Sequence, residues 1–186
     1  MKCSVYIATS LDGFIATHED SLDWLHSAGN GKNLKPENAD MGFSNYLASI
    51  DCIIMGRKSM EIISSMNLTA EQWPYGDIKI IILSNTISQA PENLNGKIEF
   101  YSGELSNLLQ NLEAKGHKHA YIDGGTTIQN FINHGLIEEI TITRAPVLLG
   151  EGKPLFGKTN KNIKLTNPSV IVFDNDFVQL KYNVTY

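Results

Sequence analysis

The 186 residues predict an α/β chain built on one mixed sheet of eight strands, with about four helices against it and an antiparallel hairpin at the C-terminal end. Three observations carry that expectation. Apolar strand-like runs alternate with segments of helical periodicity through the first two thirds. The last third loses the helical spacing and holds three strand-like stretches in succession. Asp174-Asn175-Asp176 separates the last two of these and suits a hairpin turn, because Asn and Asp tolerate positive φ.

Taken in order, Lys2–Thr9 is the first strand, followed by a polar loop in which Leu22, Trp24 and Leu25 suggest a short helical turn. Asn38–Ile50 reads as a helix with Ala39, Phe43, Leu47 and Ile50 on one face. Asp51–Met55 is a short buried strand, Gly56 ends it, and Arg57–Ser65 is a helix. Ile78–Leu83 is continuously apolar, as expected of a central strand covered on both faces. Lys97–Tyr101 is a weaker strand. Glu104–Lys115 is a helix with a leucine stripe at 105, 108, 109 and 112, stopped by Gly116. His119–Asp123 is a strand and Thr126–Asn133 a helix that Gly135 can end. Ile137–Leu149, Ile163–Phe173 and Phe177–Thr185 complete the strands.

The length suits one domain with a proper core, 1–186. A net charge of -5 and no Lys/Arg run argue against a nucleic-acid or acidic-membrane partner. The N-terminus lacks the apolar stretch and cleavage site of a signal peptide, so a cytoplasmic location is expected. Cys3 and Cys52 lie inside strand-like segments and read as buried reduced thiols. The five histidines (18, 26, 117, 119 and 134) have no metal-ligand spacing and read as surface residues, so no metal site is expected.

Three strand-to-loop junctions share a design. Ile54-Met55-Gly56-Arg57-Lys58-Ser59 gives a strand, a glycine, two cations and a hydroxyl opening a helix. Ile82-Leu83-Ser84-Asn85-Thr86 runs a strand into three small polar side chains. Ile122-Asp123-Gly124-Gly125-Thr126-Thr127 places two glycines between a strand and a helix. That glycine pair has two readings: a tight turn, or a close approach of a ligand to the unpaired N–H groups at the helix start. If the three strands are parallel neighbours, the junctions meet at one sheet edge and suit a ligand with two separated phosphates. Neither the G-x-G-x-x-G nor the Walker pattern is present. A fourth piece, Ser10–Ala16, follows the first strand with an Asp12-Gly13 turn. Phe14, Ile15 and Trp24 beyond it are apolar groups able to close over a flat ring. A fifth is Asp40, which at i, i+3 and i+7 with Phe43 and Leu47 borders the apolar face of its helix. It reads either as a first-turn carboxylate favoured by the dipole or as a pocket-rim carboxylate.

SLDGFIA, DCIIMGRKS, IILSNT, IDGGTTIQNFI and PVLLGEGKPLF follow one another in the order found in dihydrofolate reductase-like proteins. The chain resembles most the branch containing the reductase domain of the bifunctional riboflavin-synthesis deaminase/reductase. The resemblance runs from Lys2 to Phe156 and implies a mixed eight-stranded sheet, NADPH as hydride donor, and a flat heterocyclic or carbonyl substrate. It places the nicotinamide near Ala8, Gly13 and Ile15, and the pyrophosphate and 2′-phosphate side at Gly56, Arg57, Lys58 and Ser59. The adenosine falls at Ser84 and Asn85, with Gly124, Gly125, Thr126 and Thr127 approaching the pyrophosphate. Asp40 stands where the substrate-orienting carboxylate is expected, supported by Thr143, and the loop Asp12–Ile15 falls by the nicotinamide. Asp12, Trp24 and Phe43 are expected on the substrate side from their place in the sequence rather than from the resemblance. Two positions depart from the pattern: Thr126 is neutral where a basic residue is common, and Asp123 replaces a glycine, so its carboxylate must point away from the phosphates or be solvated.

The expected function is therefore an NADPH-dependent reductase of a small pterin-like, pyrimidine-like or other conjugated substrate. A riboflavin-pathway ribosylamino-pyrimidine reductase and a non-catalytic nucleotide-binding or regulatory protein are the alternatives. The resemblance to the riboflavin branch, and the strand-rich C-terminal third, also point to a homodimer.

Overall fold

The computed structural model describes residues 1–35 and 38–186. Its main sheet has eight strands: β1 (Lys2–Thr9), β3 (Cys52–Gly56), β4 (Lys79–Leu83), β5 (Ile98–Tyr101), β6 (His119–Asp123), β7 (Glu139–Arg144), β9 (Lys164–Val172) and β10 (Val178–Thr185). The spatial order is β5-β4-β3-β6-β1-β7-β10-β9. The first six pair in parallel, and β10 and β9 close the sheet antiparallel. Two further short strands, β2 (Phe14–Ala16) and β8 (Lys153–Pro154), form a separate ribbon that the sequence pattern does not signal, since both are too short for any period to show.

Helix α3 (Arg57–Ser65) packs with Phe43–Leu47, here α2, on one face of the sheet, around Ile53, Met55, Met60, Ile80 and Ile82. Helices α4 (Leu105–Ala114) and α5 (Gly125–Asn133) cover the other face, around Ile54, Ile81, Ile122, Ile128 and Phe131. Alternate residues of β3 and β4 thus enter different cores, which is why their sequences are apolar throughout. Truncating Phe131, fully buried, to alanine is expected to cost about 3–5 kcal/mol. Cys3 and Cys52 are buried free thiols, as anticipated. A third cluster gathers Trp24 of α1 (Asp23–Ser27) with Ala145, Phe173 and Phe177.

The expected helix over 38–50 is shorter. Turns occupy Asp40–Gly42, Met41 and Gly42 both take positive φ (54° and 91°), and α2 begins only at Phe43. The apolar spacing is real, but Gly42 in a left-handed conformation cannot continue a right-handed helix back through Asp40. His119 also departs from expectation. It is partly buried at the start of β6, with Nδ1 2.8 Å from the Ser49 carbonyl and Nε2 2.7 Å from Ser4 Oγ. The carbonyl takes the Nδ1 proton, so Nε2 accepts from the serine hydroxyl.

Candidate functional site

Neighbouring strands β3 and β6 send their following helices to opposite faces of the sheet: α3 to one, α5 to the other. In parallel α/β sheets a crevice opens at such a point, beyond the carboxyl ends of the strands. Two helix N-termini flank it, each with first-turn N–H groups that lack partners inside the helix. The glycines at these junctions have a local reason. A Cβ on Gly56 would lie 2.9 Å from Thr127 Oγ1, and one on Gly124, at φ +87°, would lie 2.5 Å from Ser59 Oγ. Each helix start therefore places a hydroxyl against the glycine of the other. Gly125 meets the N-terminal loop instead, where a Cβ would come within 2.7 Å of Ile15 Cδ1.

Around this crevice Arg57, Lys58 and Thr126 are exposed, and Arg57 Nε lies 3.5 Å from Glu61 one turn on. Ser84 follows β4 at the same edge. Its hydroxyl accepts from the Thr86 and Ile87 N–H groups at 3.2 and 3.1 Å, with Asn85 exposed between. Ala8 of β1 pairs with Thr143 of β7 one crevice further along.

The N-terminal loop is tied down rather than loose. The Asp12 carboxylate accepts from Ser10 Oγ at 2.5 Å and from the Leu149 and Gly150 N–H groups at 3.2 and 2.7 Å. The Ser10 hydroxyl, then those N–H groups, hold its pKa below the usual range. Gly13 C=O accepts from Leu155 N–H, Phe14 pairs with Pro154, and Lys153 pairs with Asp20. Asp12 thus fastens this loop to segment 147–155. Trp24, expected on the substrate side, is buried in the third cluster.

The face bearing α2 carries a packed aromatic cluster. Tyr6 stacks on Tyr46 at 4.7 Å between centroids and meets Phe43 at 5.6 Å; Tyr121 lies 5.2 Å from Tyr46 and 6.4 Å from Phe43. Buried Gln179 donates to Tyr6 Oη and to Thr143 Oγ1, both at 2.9 Å, so Thr143 is engaged by Gln179. Asp40 is exposed at the rim, and its carboxylate accepts from Gly42 and Ser44 N–H at 2.9 and 2.7 Å. Hydrogen bonds from Ser44, then Gly42, lower its pKa. Asp40 lies before α2 and so is neither a first-turn residue nor on the apolar face of a helix, although its charge still acts on the Tyr6 hydroxyl.

The carboxylate that sequence reasoning underweighted is Asp123. It ends β6, at the crevice, on the same strand face as Tyr121 two residues earlier. Burial pushes its pKa up, against the opposing effects of the Tyr121 hydroxyl, the Gly124 N–H and the Ser59 hydroxyl, while part of the residue still meets solvent. Tyr121 Oη is 2.9 Å from the Tyr6 carbonyl, which can only accept, and 3.0 Å from Asp123 Oδ1. The phenol has one proton to donate, shared between the Tyr6 carbonyl and the Asp123 carboxylate oxygen. Tyr75 is also near enough to feel this carboxylate, and burial raises its own pKa. The signal in the sequence was the two-residue spacing of Tyr121 and Asp123, which puts both on one face.

An open groove of about 370 Å³ lies elsewhere, at the amino ends of β4 and β5 beside Trp73, Lys79, Lys97 and Glu99. Two of its lysines have partners: Lys79 pairs with Glu99 at 2.6 Å and Lys97 sits 4.4 Å over the Trp73 ring. It faces away from the strand ends and lacks the convergent groups found at the crevice. Among the described residues no cluster of metal-binding side chains occurs, and no helix is long and apolar enough to cross a membrane.

Residues 2–179 match the family described as the RibD C-terminal domain. The chain belongs to that family. A candidate riboflavin biosynthesis protein of Shewanella sp. PV-4 is 37% identical, each chain covering all of the other, with a TM-score of 0.88. YyaP of Bacillus subtilis (strain 168) is 28% identical over 95% of this chain and 92% of its own. Dihydrofolate reductase from Enterococcus faecalis, solved with NADP(H), shares the fold at a TM-score of 0.61 and 13% identity, over 100% of this chain and 97% of that one. The RibD C-terminal family and the dihydrofolate reductase-like architecture are thus both those the motifs implied.

Proposed function

We propose that the protein is a nicotinamide-nucleotide-dependent reductase, with NADPH as the donor, acting on a small flat heterocycle. The observation that carries this is the junction of two sites on one sheet edge. A crevice with two helix N-termini, suited to phosphates, adjoins an aromatic cluster that ends at a carboxyl group with a raised pKa. The residues fit the dinucleotide. Gly56 and Gly124 let the Thr127 and Ser59 hydroxyls sit against the two helix starts, where a Cβ on either glycine would collide with them. Exposed Arg57 and Lys58 supply positive charge at the crevice mouth, and Ser84 and Asn85 border the adenosine end. When bound, the dinucleotide supplies the hydride.

The chain's own task is positioning, exclusion of water and control of one proton. Partly exposed Tyr6 and Phe43 are the rings that a planar substrate could meet, backed by buried Tyr121, and Gln179 holds Tyr6 and Thr143 in place. Ile15, packed on Gly125, and Ala8 shield the boundary between the two sites. Asp123 presents a carboxyl able to hydrogen-bond a ring nitrogen or carbonyl in its protonated form. Asp40 lies farther out as an ionised rim group. The two carboxyls have opposite environments, one poised to keep its proton and one to lose it.

Membership of the RibD C-terminal family favours one substrate class within this reading, a ribosylamino-pyrimidine of the riboflavin pathway. The test is steady-state oxidation of NADPH with pyrimidine and pterin candidates, using wild type and Asp123→Asn. Turnover with one class, reduced at least tenfold in Asp123→Asn while cofactor affinity stays unchanged, is expected. Cofactor binding without turnover on any conjugated substrate would instead favour a non-catalytic nucleotide-binding protein.

A further inference from the structure

Gln179 of β10 pairs in register with Thr143 of β7, and its side chain reaches Tyr6 of β1 and the turn before α2. Three oxygens surround its Nε2: Tyr6 Oη and Thr143 Oγ1, both at 2.9 Å, and the Met41 carbonyl at 3.1 Å. A carbonyl can only accept, so the nitrogen must face it, and the orientation of the carboxamide is fixed. Oε1 then points elsewhere and takes no hydrogen bond among the described residues. The fully enclosed side-chain atoms without a partner are Thr9 Oγ1, Trp24 Nε1, Arg144 Nε and Asn175 Oδ1. Gln179 Oε1 is not one of these, so it still meets solvent, although the residue is only 8% exposed. A rigidly held amide oxygen at such a narrow opening is an acceptor left for a ligand.

The donors around it are already used. The Tyr6 hydroxyl donates to the Met41 carbonyl, and the Nε2 protons go to the three oxygens. Asp40, close enough for its charge to act on the Tyr6 hydroxyl, adds only acceptor oxygens. A planar ligand resting on the partly exposed Tyr6 and Phe43 rings meets acceptors along this edge and must bring the hydrogens itself. We propose that Gln179 is a specificity-determining residue whose Oε1 accepts a hydrogen bond from an N–H of the heterocyclic substrate. This rests on the reductase reading of the site and adds to it the substrate feature that is read: a ring or exocyclic N–H, as on a lactam or aminopyrimidine edge. A site built to meet such a hydrogen rejects an analogue lacking it far more strongly than an apolar pocket rejects an extra methyl, because the acceptor is then left unpaired.

The test is binding rather than turnover. 6-Aminouracil and its 1-methyl and 3-methyl derivatives are titrated into the full chain, with and without NADPH, and followed by ligand-observed NMR. Wild type is expected to bind 6-aminouracil, and at least one methylated derivative about tenfold or more weakly. Gln179→Met keeps the length of the side chain and removes the carboxamide, so parent and methylated rings should then bind within about twofold of each other. A purely steric effect of the methyl group would persist in that variant. If Gln179→Met fails to fold, the side-chain amide resonances of wild-type Gln179 decide: they must shift with 6-aminouracil and not with the weakly bound derivative. Equal binding of parent and methylated rings by wild type, no binding of the parent, or a preference that survives in Gln179→Met would overturn the proposal. Whether NADPH raises Tm reports separately on the reductase reading, so the two can fail independently.

Discussion

At the residue scale, Asp123 and Gly124 make opposite demands on the same junction. The Asp123 carboxyl has its pKa raised in the folded state, so ionising it opposes folding. Its unfavourable contribution is absent below the unfolded carboxylate range near 3.9 and grows as pH rises towards the folded value. Asp123→Asn is therefore expected to lose less stability than wild type between pH 4 and pH 8, measured as the change in Tm across that range, while losing turnover. An Asn variant whose Tm follows the wild-type profile would remove the strained carboxyl from the account. Gly124→Ala should destabilise by about 1–3 kcal/mol, from the positive φ and the overlap with Ser59. Adding Ser59→Ala should recover the steric part only, so a double-mutant cycle in urea will show favourable coupling. Neither relation was legible in sequence. The order Asp-Gly-Gly marks a junction, but Ser59 arrives there from a different strand and helix.

At the scale of elements, the strands were the most legible part. β1, β6 and α3 begin and end where the sequence pattern places them, because the strands carry short runs of consecutive buried residues and the helix an apolar stripe. The stretch before α2 was misread for a physical reason. Apolar residues at helical spacing continue through it, while Met41 and Gly42 adopt backbone conformations that spacing does not encode. That change moves Asp40 from the helix face to a capping position. Asn can accept only one of the two N–H bonds that the carboxylate takes, so Asp40→Asn should cost about 0.5–1.5 kcal/mol; a loss of turnover measured well below the variant's Tm then reports on substrate rather than folding. His119 links β6, β1 and the end of α2, and burial lowers its pKa. It is neutral when folded and takes a proton more readily when unfolded. The stability it contributes is present above the unfolded value near 6.5 and lost as pH falls below it. Tm should fall between pH 7.5 and pH 5, and His119→Gln should flatten that slope.

For the whole molecule, the claim that matters is that two helix starts on opposite sheet faces make a dinucleotide site. Topology supplies it: β3 and β6 become neighbours only after the chain has laid down β4 and β5, so the motifs at residues 56–59 and 124–127 meet across long sequence separation. Motif order made the fold legible through resemblance, and the aromatic cluster became visible only once Tyr6, Phe43 and Tyr121 shared a face. Thermal unfolding with saturating NADPH, and separately NADH, tests the claim most directly. At a hundred times Kd a ligand adds about 2.7 kcal/mol, which for a chain of this size raises Tm by roughly 5–10 °C. The account predicts that rise with NADPH, diminished in Arg57→Ala. An equal rise with NADH would show that the 2′-phosphate is not read, in keeping with neutral Thr126. No rise with either nucleotide would contradict the dinucleotide site and the reductase reading built on it.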